Sequence, residues 1–160
     1  MKRILIGWMA ALSALLCACS AQTVWETVDG GCVPAEGGAA YVIRIALPQD
    51  AVEEVFAERG ARQIYTQPGG GYEITTEILD AAPAAAIVRR LSGFDASALH
   101  VYKSGGKDRP VWQFAWYAAS DEGGRMYRCK MISAGSSCYA LTGSVPEGAG
   151  TSYDTMLTEV

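Results

Sequence analysis

Apolar and polar residues alternate most regularly in the middle of the chain. In Tyr72–Leu79 every second side chain is apolar or threonine, and Glu73 and Glu77 fall between them. Alternation with a period of two predicts a half-buried β-strand. Tyr41–Leu47 is a second strand candidate, rich in β-branched residues and stopped by Pro48.

The segment 51–65 has two interpretations. Asp50 and Glu53 are spaced as a capping box ahead of apolar residues at helical spacing, which favours a helix. Short apolar pairs on either side of Arg59-Gly60 favour a hairpin instead. We slightly prefer the hairpin.

A helix is predicted next. Asp80 can cap it, Pro83 suits its first turn, and Gly93 is placed to end it. Its buried stripe is Ala84, Ile87, Val88 and Leu91. Four strands follow, separated by turn residues: Leu99–Lys103, Val111–Ala118, Arg125–Ile132 and Cys138–Gly143. Helical spacing of Tyr153, Met156, Leu157 and Val160 predicts a closing helix.

The order of these elements predicts the fold class. Runs of consecutive strands with short turns pair as antiparallel hairpins. We therefore predict an α+β domain over 41–160, in which one curved antiparallel sheet is packed on one face by about two helices. The preceding segment, 19–40, is rich in glycine and lacks a sustained period, so it is predicted to be a flexible tether.

The start of the chain has the features of a secretory leader. Met1–Arg3 is positively charged and precedes Ile4–Leu16, an apolar run of 13 residues. A run of this length is too short to span a bilayer as a stable helix and is typical of a signal peptide.

The residues that end this leader resemble the lipobox of bacterial lipoproteins. Leu16 stands at −3, a small residue at −1 and Cys19 at +1. The resemblance implies a signal peptide over 1–18 and lipidation of Cys19, which would hold the domain on the outer face of a bacterial membrane. Ser20 at +2 implies the outer membrane where the host has one. The alternative is ordinary signal-peptidase cleavage nearby, which would release a free secreted protein.

The charge excludes one class of partner. The whole chain has a formal net charge of −4, and without Lys2 and Arg3 it carries 11 basic against 17 acidic side chains, or −6. This balance argues against nucleic acid and against a polybasic membrane contact. The predicted partners are the membrane, through the lipid, and an envelope protein or small ligand.

The body of the chain resembles the PsbP-like family, which includes surface lipoproteins of unknown function. The matching phrases are YVIRIALP at Tyr41–Pro48, QFAWYAASDEGGRMYRCKMI at Gln113–Ile132, and YALTGSVPEG before the last predicted helix. The resemblance covers Tyr41–Val160 and implies a binding or accessory module without a shared active site.

Three cysteines remain besides Cys17 of the leader and Cys19 at +1. Export permits disulfides, and Cys129 and Cys138 lie on adjacent predicted strands. If the turn between them centres on Ala134-Gly135, they are diagonal neighbours beyond comfortable bridging distance. If the loop is Ile132–Gly135, they face each other and can bond. Cys32 has no evident mate, and with one histidine in the chain no metal site or cofactor is predicted.

Catalytic signals are weak. His100 lies in a predicted strand, without a nearby nucleophile motif. Glu73 and Glu77 share a strand face about 13 Å apart, too far for a glycosidase pair, and we interpret them as marking the solvent face. The leading hypothesis is a non-enzymatic binding or accessory role. The alternative is a surface hydrolase with an unrecognised active site.

An aromatic stripe is the main binding candidate. Trp112, Phe114 and Trp116 alternate along one predicted strand, and Tyr117 lies on the opposite face. On an exported domain the tryptophans could form a platform for sugar rings or peptide. In a half-buried sheet such a stripe more often packs beneath helices, and Tyr117 is then a solvent-facing binding candidate.

Overall fold

The structure of the chain, a computed structural model, describes residues 25–34, 40–54, 62–121 and 123–149. Strands dominate these ranges, and seven of them form one antiparallel sheet. The strands are β1 Trp25–Pro34, β2 Ala40–Pro48, β3 Val52–Glu54, β4 Arg62–Thr66, β5 Glu73–Asp80, β6 Tyr102–Gly105, β7 Pro110–Ser120, β8 Gly123–Ala134 and β9 Ser137–Pro146.

The large sheet has the strand order β3-β4-β5-β9-β8-β7-β6. Most neighbours follow one another in sequence, as short turns between antiparallel strands require. The exception is the pair β5 and β9, which joins the two halves of the sheet through a register that runs from Glu73↔Ser144 to Asp80↔Ser137.

One α-helix, α1, lies in the described ranges and spans Ala84–Ser92. It ends at Gly93, whose φ of 79° is left-handed and whose N–H donates to the Arg89 carbonyl. The prediction that Asp80 caps this helix is wrong. The N-cap position belongs to Pro83 and has no side-chain hydrogen bond, while Asp80 is the last residue of β5.

The predicted fold class is wrong. The described chain is mostly β-structure with a large antiparallel sheet and one helix, and two helices do not pack on one sheet face there. The second predicted helix, at 153–160, lies outside the described residues. A 3₁₀ turn at Ala96–Ala98 is the other helical segment in the described ranges, and none of their helices is long and apolar enough to cross a bilayer.

Strand β1 falls inside the segment 19–40 that we predicted to be a tether. It pairs antiparallel with β2 as a separate two-stranded ribbon. The pairing shifts register between Asp29 and Cys32, where Gly30 and Gly31 stand. This bulge interrupts the two-residue period along the strand and hides it from the sequence pattern. Ordered structure therefore begins before the predicted boundary at residue 41.

Apolar clusters lie on both faces of the large sheet, because successive residues of a strand point in opposite directions. On the ribbon-side face, Ile74 and Tyr139 pack with Ile45 and Leu47 of β2. The other face, called the helix-side face, is covered in part by α1. Its cluster contains Leu79, Ile87, Val88, Phe114, Trp116, Cys129, Met131, Cys138 and Ala140.

The described parts of segment 51–65 confirm the hairpin. Val52–Glu54 pairs antiparallel with Arg62–Thr66, with Val52 opposite Thr66 and Glu54 opposite Ile64. Asp50, the first residue of the capping-box pattern, binds two side chains that follow β4. Asp50 accepts hydrogen bonds from Tyr72 Oη and Gln67 Nε2, both at 2.6 Å, and these bonds hold its pKa below the usual value.

Gly105 closes the turn between β6 and β7 and should tolerate no side chain. Its φ is 80°, and a Cβ there would lie 2.6 Å from the Arg109 carbonyl oxygen. We expect Gly105→Ala to lower the free energy of unfolding by about 1–2 kcal/mol in urea denaturation, since an L-residue is strained in this conformation. Neighbouring Gly106 has a negative φ and open space, so Gly106→Ala is the control. Equal losses from the two variants would contradict the steric explanation.

Candidate functional site: a cleft beside the helix

A small cleft opens on the helix-side face, next to the C-terminal turn of α1. It holds about 100 Å³, and Leu91 of α1 forms part of its rim. Its floor consists of side chains from the two central strands, Glu73, Thr75 and Glu77 of β5 and Thr142 and Ser144 of β9. These residues share a face because each strand contributes every second position.

The register between β5 and β9 brings the floor residues together. Glu73 is paired with Ser144, and Thr75 is paired with Thr142. The buried Thr75 hydroxyl donates to Glu73 Oε1 at 3.2 Å, which holds the carboxylate against the floor. The floor therefore presents oxygen atoms in positions fixed by the sheet.

Arginines stand at two places around this floor. Arg62 of β4 lies opposite Glu77, and its Nε is 3.4 Å from Glu77 Oε1. Arg125 of β8 reaches the buried Ser144, with Nη2 donating to Ser144 Oγ at 2.9 Å and Nε at 3.2 Å. The Arg62 ion pair is largely exposed, so its contribution to stability is small. Of the two guanidinium groups, that of Arg62 belongs to the lining of the cleft.

The remaining wall of the cleft is aromatic. Trp116 and Tyr127 are cross-strand partners, and their rings stack with centroids 4.9 Å apart and 7° between planes. Phe114 stacks on Trp116 from the other end, at 5.5 Å. Because one face of the Tyr127 ring is held against Trp116, the opposite face is the one turned towards Ser144 and the cleft.

The predicted aromatic stripe does share one face, but it does not form an exposed platform. Trp116 is 7% exposed and belongs to the cluster beneath α1. Trp112 is half-buried against the same cluster, with Lys103 Nζ 5.8 Å from its ring centroid. Of this candidate site, Trp116 alone contributes to the cleft.

Tyr117, the third predicted binding residue, lies on the opposite face and is 41% exposed. Its hydroxyl donates to Glu147 Oε2 at 2.6 Å, and this bond raises the pKa of Tyr117 above its ordinary value. The ring crosses over Gly124, where a Cβ would collide with the Tyr117 hydroxyl. Tyr117 thus connects β7 to the residue that follows β9, away from the cleft.

Cys129 and Cys138 are both free and buried. Neither of the two predicted registers occurs. The turn is Gly135-Ser136, and it pairs Cys129 with Thr142, which lies four residues beyond Cys138 on β9. Burial raises the pKa of Cys129 to about 12 and raises that of Cys138 as well. The thiolate is the reactive form, so both thiols are inert in the folded protein.

We therefore expect iodoacetamide at pH 8 to leave Cys129 and Cys138 unmodified in the native protein. After unfolding in urea without a reductant, both should be carboxamidomethylated, as measured by peptide mass spectrometry. A disulfide between them would give the opposite second result, with modification appearing only after reduction. Cys32 is not used as a control, because its side chain lies outside the described part of the structure.

His100 lies in the exposed connection between the 3₁₀ turn and β6. No described residue forms a hydrogen bond or ion pair with its side chain, whereas a hydrolase built on it would require a serine or carboxylate within reach. Among the described residues, His, Cys, Asp and Glu do not form a group of three or more that could hold a metal.

Sequence reasoning assigned Glu73 and Glu77 to a solvent face, and this interpretation is wrong. Both are half-buried on the cleft floor. It also missed Thr75, Thr142 and Tyr127. The sequence offered one signal, a threonine that shares the polar side of Tyr72–Leu79 with two glutamates. The alternation places Thr75 outward, but in the structure it is buried.

Comparisons with known proteins identify the fold. No protein-family model matches the chain, and no curated protein sequence does. The solution structure of cyanobacterial PsbP (CyanoP) from Synechocystis sp. PCC 6803 is similar over 89% of this chain and 92% of that one, with a TM-score of 0.57 and 8% identity. A crystal structure from Bacteroides thetaiotaomicron VPI-5482 is similar over 69% of this chain, with a TM-score of 0.45 and 12% identity, and this chain spans 40% of that protein.

The similarity to CyanoP supports the resemblance found in the sequence phrases. The chain has a PsbP-like fold. At this level of identity the likeness concerns the fold alone, and function must be argued from the residues of the site.

Proposed function

We propose that this protein is a lipid-anchored cell-envelope protein whose domain binds a small polar ligand or partner group in the cleft. The anchor is supported by the charged start of the chain, the apolar run Ile4–Leu16 and the spacing that ends at Cys19. Two or three acyl chains hold a protein on a membrane durably, whereas one chain gives only marginal binding. Ser20 favours the outer membrane in a host that has one.

One observation supports the binding role. In the cleft, carboxylates, hydroxyls, a guanidinium group and an aromatic wall converge around an open space. Binding sites typically combine an apolar or aromatic wall with a few polar groups in fixed positions. The two carboxylates are four residues apart on one strand, about 13 Å at 3.3 Å per residue, so they are not spaced for paired acid-base chemistry. This arrangement favours binding over glycoside hydrolysis.

The test is recovery of a bound molecule from native membranes. We expect the wild-type protein, extracted in detergent, to retain a ligand or cross-linked partner that Glu73→Lys loses, because the substitution reverses a charge on the cleft floor. Mass spectrometry of the eluate provides the measurement, and circular dichroism checks that the variant is folded. Glu147→Lys, on the far side of the sheet, is the matched control.

The outcomes separate the possible roles. Recovery with the wild type and with Glu147→Lys, but not with Glu73→Lys, supports binding in the cleft. Equal recovery of a protein partner with all three would contradict the cleft and favour an accessory role through another surface. Recovery of nothing from any of them would count against both.

A further inference from the structure

The charges in the lining of the cleft disfavour an anionic ligand. Glu77 is paired with Arg62, and Arg125 is bonded to Ser144, which stands opposite Glu73 in the register. The lining of the cleft thus carries two carboxylates and one guanidinium group, and Arg125 lies outside that lining. An anionic ligand would meet an excess of one negative charge here, whereas a ligand with several hydroxyl groups meets both donors and acceptors.

Hydrogen-bonding capacity remains on the floor. Glu73 uses Oε1 to accept from Thr75, and no described residue donates to its Oε2. An ionised carboxylate only accepts, and its hydrogen bonds are stronger than those of neutral groups. Glu73 can therefore accept from a ligand hydroxyl, while Arg62 stands on the far side of the floor as a donor.

The aromatic wall supplies the complementary apolar surface. Tyr127 is fixed by stacking on Trp116, so presenting its outer face costs little conformational freedom. The C–H side of a sugar ring is flat and apolar, and covering it with an aromatic face removes apolar surface from water while the ring hydroxyls stay at the edge. Among neutral polar molecules, saccharides combine these two features.

The size of the cleft limits how much of a saccharide enters. About 100 Å³ is well below the roughly 300–1,000 Å³ of pockets that enclose drug-sized ligands. One edge of a single ring fits, and the rest of a longer chain must remain in solvent. Building on the proposed function, we infer that the cleft binds the terminal ring of a neutral glycan, with Tyr127 stacked on the ring and Glu73 accepting from its hydroxyls.

The experiment is a binding screen of the full-length protein purified from membranes in a polyoxyethylene detergent, which contains neither sugar nor ammonium groups. The probes are an array of neutral glycans, followed by calorimetric titration of the best binder, with choline and free arginine as charged probes. We expect a neutral glycan to bind, and Tyr127→Ala and Glu73→Gln each to weaken it tenfold or more. Glu147→Gln, on the opposite face, should leave the affinity within twofold.

Each outcome separates this inference from the proposed function. Binding of choline or arginine in a manner lost with Glu73→Gln, without glycan binding, overturns the glycan inference and leaves ligand binding in the cleft intact. Glycan binding that survives both cleft substitutions overturns the assignment of the site. If no probe binds and Glu73→Lys leaves recovery from membranes unchanged, both proposals fail. If Tyr127→Ala does not fold, Glu73→Gln still tests the site, because the Glu73→Gln variant leaves the stacking of Tyr127 on Trp116 intact.

Discussion

Replacing Cys19 by alanine should abolish lipidation completely. The thiol of this residue is the only group that the lipobox pattern offers for acylation, and Cys17 is a poor substitute because Leu16 would then stand at −1. We expect Cys19→Ala to incorporate no labelled fatty acid in living cells and to accumulate with its leader uncleaved. The measurement is label in the immunoprecipitated protein, together with the intact mass.

Cys17→Ala is the matched control, because it changes a neighbouring cysteine that the pattern assigns to the discarded leader. It should remain labelled and processed. Membrane fractionation alone does not decide the question, since an uncleaved apolar leader also holds a chain at the membrane. A Cys19→Ala protein that still carries lipid label would refute the anchor.

Replacing Met131 by alanine should give the largest loss of stability among the substitutions considered. Met131 is fully buried in the cluster between α1 and the sheet. Removing its side chain leaves a cavity that the sheet and helix cannot fill, and Met→Ala substitutions in cores cost about 2–5 kcal/mol. Urea denaturation followed by circular dichroism measures the change in the free energy of unfolding.

Met126 provides a control on the same strand. Its side chain is 42% exposed on the other face of the sheet, so Met126→Ala should change the free energy of unfolding by less than about 1 kcal/mol. The two variants delete the same atoms from β8 and differ in burial. Similar losses in both would mean that Met131 does not pack beneath α1 as described.

Local patterns predicted the strands well, but they did not predict which elements cover each face of the sheet. Alternation in Tyr72–Leu79 correctly placed Ile74 and Glu73 on opposite faces, because side-chain direction along a strand depends only on its own period. The ribbon strand β1 was missed because Gly30 and Gly31 interrupt that period. The expectation of a sheet with one covered face was wrong because β2 covers part of one face and α1 covers part of the other.

The cleft could not be predicted from local patterns. It depends on the pairing of β5 with β9, which sets Thr75 beside Thr142 across a separation of 67 positions in the chain. The residues next to Thr75 or Thr142 in the sequence do not indicate that the two threonines will be neighbours. Tyr127 gave no separate signal, since its role follows from standing between Trp116 and Ser144 in adjacent strands.

The central position of β9 determines when this domain can complete its fold as the chain is synthesised. Strands β3 to β5 and β6 to β8 form two separate groups until β9, which follows them all in sequence, is inserted between them. A chain that emerges from its N-terminus therefore cannot complete the sheet until residue 146 has been made. Its two half-sheets expose unpaired edges in the meantime, which are prone to pair with other chains. The proposed lipid at Cys19 would keep such incomplete chains at the membrane surface while the last strand arrives.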